Sequence, residues 1–168
     1  MNRNELAFSS FFMGEGMIRI SFDKRKGGHR GGKFYGKRLI PWYRQVIRIT
    51  LRQDDEKVID WILKEIGGHC FRRGIRYKVW NKQRGIYTWS RPVTIWQAED
   101  LDTCEKVAKL LLKNPIPSKK KEEARYFLEY VRLKRKSYIR GKSYPKEVFK
   151  QFEFYYQKLK KLKKFKEK

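Results

Sequence analysis

Two stretches of the chain alternate apolar and polar residues, and in both the polar side carries arginines. Met17–Arg25 sets Ile18, Ile20 and Phe22 against Arg19, Ser21, Asp23 and Arg25. Tyr43–Gln53 sets Ile47, Ile49 and Leu51 against Arg44, Arg48, Thr50 and Arg52. Neighbouring side chains of a strand point to opposite faces, so this alternation predicts a sheet with one face in a core and one turned outward. Residues 26–41 are rich in Gly, Lys and Arg and read as a long flexible connection. The pair is therefore a hairpin with a long tip and one basic face. Its apolar face must be covered by other elements, which excludes a chain without a core.

The covering elements follow from helical spacing and caps. Asn4 reads as the cap of a first helix from Glu5 to about Met13, ended by Gly14 and Gly16. Asp54 or Asp55 caps a second, whose stripe is Val58, Ile59, Ile62, Leu63 and Ile66, closed by Gly67 and Gly68. Two strand-like runs come next, Cys70–Trp80 and Ile86–Trp96, joined by a turn over Asn81–Gly85. Helices return at Asp100–Lys113 and from Ser118 to about Arg135, with Pro115 and Pro117 between them. A last amphipathic helix starts near Pro145 with Val148, Phe152, Tyr155, Leu159 and Leu162 in register, and Lys160–Lys168 is a lysine-rich tail. The order predicts an α+β domain with an antiparallel sheet over residues 1–135, followed by a C-terminal helix and tail over 136–168. No internal repeat is evident, so the chain carries one copy of this unit.

Charge narrows the partner. The 43 Lys and Arg face 18 Asp and Glu in 168 residues, a formal net charge of +25. Such an excess repels itself in the folded state and points to a polyanion, because neutralising phosphates releases condensed counterions. An anionic membrane is the weaker candidate, since no apolar run approaches the roughly 18 residues of a spanning helix. Nothing at Met1–Leu6 resembles a secretory leader, so an intracellular location is expected, in a bacterial or archaeal cytoplasm or an organelle. Cys70, Cys104, His29 and His69 lack the spacing of a zinc site. His69 and Cys70 read as a strand start with a buried thiol, and Trp42, Trp61, Trp80, Trp89 and Trp96 as core or sheet-edge packing.

Phe8–Gly16 carries the strongest chemical signal. Ser10 and Gly14 lie four apart on one helical face, and with Ser9 they leave that face nearly without side chains. Small residues at this spacing let two helices approach closely. Phe8, Phe11 and Phe12 are placed to anchor the helix in its own subunit, and Glu15 stands between two glycines where the basic strand begins. If two copies pair through this helix about a twofold axis, two Glu15 carboxylates converge and require a cation between them, and hard divalent cations take oxygen ligands. The plain alternative is a C-cap with a solvated glutamate.

Phe8–Gly16 resembles the LAGLIDADG motif, with Ser10 and Gly14 at its small positions, Glu15 at its metal-binding acid and Gly16 at its final glycine. The strand and helix order also resembles the family's αββαββα core, over about residues 4–135. The resemblance implies a saddle-shaped antiparallel sheet on the DNA major groove with extra C-terminal helices. It implies a homodimer paired through Ser9, Ser10, Met13 and Gly14, and a Mg²⁺ (or Mn²⁺) ion at Glu15 and Gly14. Cleavage of both strands of a long, roughly palindromic duplex with 3′ overhangs would follow. Ile116–Ala124 resembles the family's lysine-bearing segment, with Lys120 as the auxiliary lysine and Lys119 or Lys121 as alternatives.

This sequence departs from the motif in having Met13 where a first aspartate is common. Leu51 stands where a polar residue often helps place the attacking water, leaving Gln53 or Arg52 for that task. Arg19, Ser21, Arg25, Lys33, Arg44, Arg48, Arg52, Arg72, Arg76 and Lys78 are the expected DNA contacts. Lys24, Lys26, Arg30 and Lys37 are expected to grip outer phosphates with them. The expected activity is that of an intron-encoded homing endonuclease. Two alternatives share the scaffold, a maturase acting on structured intron RNA and a non-catalytic DNA-binding regulator.

Overall fold

Asn2, rather than Asn4, caps the first helix. Its side chain accepts from Glu5 N at 2.8 Å while Glu5 reaches back to Asn2 N at 2.9 Å, a reciprocal capping box that moves the start two residues earlier. The computed structural model describes residues 1–26, 39–76, 78–81, 83, 85–138 and 144–163, and for 24–26, 39–41 and 53 the backbone alone. In chain order the elements are α1 (Arg3–Glu15), β1 (Gly16–Lys26), β2 (Leu39–Arg52), α2 (Glu56–Glu65), β3 (His69–Ile75), β4 (Lys78–Asn81), β5 (Ile86–Trp89), β6 (Val93–Ala98), α3 (Leu101–Lys113), α4 (Lys119–Ser137) and α5 (Lys146–Lys163). This is the expected α+β order, with additional C-terminal helices.

β1, β2, β6 and β3 form an antiparallel sheet in that spatial order. β1 and β2 pair from Gly16 opposite Ile49 to Lys26 opposite Leu39, so β2 begins inside the stretch expected to be a connection. The tip of that hairpin, 27–38, lies outside the described residues. Register puts Ile18 and Ile20 of β1 with Ile47, Ile49 and Leu51 of β2 on the covered face, and all are buried. Phe8 and Phe12 of α1, Ile59 and Ile62 of α2, Val107 and Leu111 of α3 and Phe127 and Val131 of α4 complete the core.

α5 joins the same core. Phe152 and Leu159 are buried, Phe152 packs edge-on against Tyr130 at 5.2 Å, and Lys163 Nζ donates to the Ile18 carbonyl of β1. The expected lysine-rich tail from Lys160 is thus helical as far as Lys163.

The second hairpin differs from expectation. In place of two continuous strands, β3 stops at Ile75 and β6 starts at Val93, and β4 and β5 form a separate two-stranded ribbon. Gly74 adopts φ of 61°, a left-handed conformation that breaks β3, whose pairing with β6 already slips after Cys70 and after Arg72. Ahead of β6, Pro92 has no N–H to give to a ladder. Arg76 and Lys78 therefore leave the sheet, and Trp80 and Trp89 are exposed instead of packed. Trp42 is exposed as well, Trp61 is half-buried and Trp96 is buried. The Cys70 thiol is half-exposed, whereas that of Cys104 is buried.

One buried cation sits in this core. Lys134 of α4 donates to the Tyr43 carbonyl at 2.9 Å and to Gln45 Oε1 at 2.8 Å, beneath β2 and beside Cys104, Arg44 and Glu99. Burial pulls its ammonium down to about 8 from the usual 10.5. Below pH 8 it is charged in both states and the burial cost is fully present. Between about 8 and 10 the folded state releases the proton while the unfolded state keeps it, so stability rises with pH. Chemical denaturation at pH 7.5, 8.5 and 9.5 should show this rise, on the order of 2 kcal/mol, and Lys134→Met should flatten it relative to the parent chain.

Candidate functional site

The helix-to-strand junction positions the acid. Phe8 and Phe12 bury one face of α1, with Phe8 packed edge-on to Trp96 at 6.0 Å, and Phe11 is half-buried. Helix and strand meet without a linker at Gly16, which lies directly against the Phe12 ring, where a Cβ would enter the ring itself. Glu15 is the last helical residue and is exposed. A carboxylate at a helix C-terminus meets the negative end of the helix dipole, and the last turn of α1 holds no basic residue to offset it. This placement is poor for helix stability and favourable for a cation.

Glu15 lines an open cleft of about 490 Å³ with Phe11, Thr50, Leu51, Arg52, Asp55 and Val58. Leu51 is buried and contributes only apolar surface there, while Arg52 is exposed. The backbone of Gln53 lies in a short 3₁₀ turn, and its side chain is outside the described residues. From the sequence, Asp55 reads only as a helix cap. It occupies the N-cap of α2 without making a capping hydrogen bond, and it lines the same cleft as Glu15. Nothing in the local sequence distinguishes that role from capping.

Of the three candidate lysines, Lys120 is bound at this junction. Its ammonium donates to the Gly16 carbonyl and lies 5.6 Å from the centre of the Phe12 ring. Burial lowers its proton affinity, and the carboxylates of Glu123 and Glu15 partly restore it. Lys121 instead donates to the Asn114 carbonyl at 2.8 Å, and Lys119 is exposed on α4.

The open side of α1 differs from the expected one at Ser9 and Ala7. Ser9 is fully buried, accepting from Asn114 Nδ2 at 2.8 Å and donating to the Leu6 carbonyl, so it is inside the subunit and not on a free face. Ser10 and Met13 are half-buried and Gly14 is exposed, with open space where a Cβ would stand. Ala7, which sequence reasoning missed, is exposed and extends the face. Ala7, Ser10 and Gly14 at spacings of three and four carried that signal.

Arg19, Ser21, Arg44, Arg48 and Arg52 lie on the sheet face opposite the core, as the register requires. Arg48 donates to Gln97 Oε1 at 2.9 Å and lies over the ring of Phe71, which Arg72 approaches from its own side at 5.2 Å. Arg44 pairs with Glu99 at 3.5 Å. Among the described residues, Nε of Arg19 and of Arg44 is buried with no acceptor. Such groups are costly unless a partner supplies one. Arg73 is turned to the other side and bonded to Glu56 and Asp60 of α2. The side chains of Arg25 and Lys33, with Lys24, Lys26, Arg30 and Lys37, lie outside the described residues.

Glu15 and Asp55 carry oxygen ligands of the kind hard divalent ions take, and both line this cleft. Among the described residues no group of three His, Cys, Asp or Glu could hold a metal, and no helix is long and apolar enough to cross a membrane.

No family model matches the sequence, and no curated protein does. Solved structures do match. The homing endonuclease I-CvuI in complex with its target aligns with a TM-score of 0.64 at 14% identity, over 98% of this chain and 84% of that one. The homing endonuclease I-TnaI aligns at 0.62 and 16%, over 97% and 95%. The LAGLIDADG homing endonuclease I-SmaMI, bound to cleaved DNA, aligns at 0.64 and 10%, over 95% of this chain but 45% of that one. At these identities the likeness is one of architecture, and the chain has the fold of the LAGLIDADG homing endonucleases.

Proposed function

We propose that two copies of this chain form a site-specific endonuclease for double-stranded DNA that requires Mg²⁺ or Mn²⁺. The observation that carries the reading is Glu15, exposed at the C-terminal end of a helix whose open face is Ala7, Ser10 and Gly14. Pairing that face with a second copy brings two Glu15 carboxylates together below the helix ends. The chain spans most of I-CvuI and I-TnaI but less than half of I-SmaMI, which fits one copy as half of a working unit.

Within such a pair, Glu15 of each copy, with the Gly14 carbonyl, would hold the divalent ion. That ion supplies charge neutralisation and water activation to phosphodiester hydrolysis. Lys120, fixed by the Gly16 carbonyl, keeps a positive charge beside the phosphate, and Arg52 grips the backbone across the cleft. The outward arginines hold and read the duplex. Arg48, braced by Gln97 and Phe71, has the rigidity that a bidentate contact to guanine needs. A two-copy enzyme would cut a long, pseudo-palindromic site and leave 3′ overhangs, with the coding sequence carried in an intron.

Glu15→Gln should keep duplex affinity within about threefold, because one neutral isostere removes no phosphate contact, while metal-dependent cleavage disappears. Substantial residual cutting by that variant contradicts the role of Glu15. Gly14→Leu projects into open space within the chain, so folding should survive while the pairing face is blocked. Sedimentation should report monomers, and a full dimer would place the interface elsewhere. Arg72→Ala should reduce the slope of log affinity against log salt by roughly one. Arg73→Ala should leave that slope unchanged, because Arg73 is engaged by Glu56 and Asp60.

A further inference from the structure

The β4–β5 ribbon presents an aromatic face to solvent. Lys78 pairs with Trp89 and Trp80 with Tyr87, so these four side chains share one face of the ribbon. Trp80 and Tyr87 meet edge-on with centroids 5.0 Å apart, and the Lys78 ammonium lies 5.6 Å from the Trp89 ring. Trp80 is 50% exposed, Trp89 63% and Tyr87 68%. Rings of this size dominate core and interface energetics, and three together in solvent on a ribbon of two four-residue strands call for a partner.

Charge selects its class. From Ile66 to Ala98 the sequence holds seven Lys and Arg and no Asp or Glu. The partner must be polyanionic and must also offer flat apolar faces. Unpaired nucleotides offer both, since every base has a face on which an aromatic ring can stack. An intact duplex hides those faces inside its own stack, and its groove edges are read by hydrogen-bonding side chains more than by rings.

Topology gives the place. Ile75 of β3 pairs with Val93 of β6, Val93 pairs with Arg52 of β2, and Arg52 lines the cleft of Glu15. The ribbon therefore leaves the sheet at the end where Glu15 lies.

We propose that the Lys78, Trp80, Tyr87 and Trp89 face is a stacking platform for unpaired DNA bases, set where strands would part beside the Glu15 cleft. Its use during cleavage rests on the proposed endonuclease, but its binding of single strands does not.

The test is binding of labelled oligo(dT), oligo(U) and a duplex of equal length to the full chain and to Trp80→Ala, Trp89→Ala and Tyr87→Ala. Intrinsic tryptophan fluorescence is followed alongside, and circular dichroism checks that each variant folds. Oligo(dT) should quench the fluorescence and bind at least as tightly as oligo(U). Each alanine should weaken oligo(dT) binding about tenfold, the loss of one base–aromatic stack, while duplex affinity moves less than about threefold. Should Trp80→Ala not fold, the more exposed Tyr87 carries the test. Unchanged oligo(dT) binding, equal losses on duplex and single strand, or a clear preference for oligo(U) overturns the proposal. So does concentration-dependent self-association that the tryptophan variants abolish, which would make the face a protein interface. None of these readouts depends on cutting, so failure of the endonuclease reading remains distinguishable.

Discussion

The contact between Phe12 and Gly16 is the constraint on which the site depends. Only a residue without a side chain can lie against that ring, and it is at this glycine that the helix gives way to the strand. Phe8 continues the anchor to Trp96 of β6, and Trp96 Nε1 donates to the Gly67 carbonyl at 2.7 Å, tying in the turn between α2 and β3. Helix, sheet and turn form one packed unit. Close packing transmits small displacements, so Glu15, Arg52 and Lys120 hold their relation without a dedicated loop.

Charge is sorted by face. Arg73 is neutralised by two carboxylates of α2, Arg135 by Asp102 and Glu105 of α3, and Lys134 is buried under β2. These cations belong to the fold. Among the described residues acids are scarce on the outward sheet face, where Glu99 pairs with Arg44 and Asp23 stands opposite Trp42. Buried guanidinium nitrogens without acceptors on Arg19 and Arg44 mark where the structure forgoes internal satisfaction. Each is a desolvated donor left unpaired, a cost to the folded chain.

Much of this was legible in the sequence because one periodicity dominated each segment. Ile18, Ile20, Ile47, Ile49 and Leu51 announced the covered sheet face, and Ser10, Gly14 and Glu15 announced the helix end. What failed to read was what depends on tertiary partners. Ser9 looked like part of an open face, and only the position of Asn114 shows that it is sealed inside. Asp55 looked like a cap because capping and cleft-lining carboxylates have the same local sequence. The run from Cys70 to Trp80 alternates well enough for one strand, but Gly74 and the slips around Arg72 divide it and turn Trp80 outward. α5 could have projected or packed, and the deciding facts, Phe152 against Tyr130 and Lys163 on β1, are long-range.

Joint action of two copies through Glu15 on duplex DNA can be read by exposing a randomised duplex library to the purified protein with Mg²⁺ and with EDTA and sequencing the ends produced. Such joint action requires discrete Mg²⁺-dependent cuts whose shared flanking sequence has twofold symmetry about the break. Tight duplex binding with no cuts, or cuts whose flanking sequence shows no such symmetry, would contradict it.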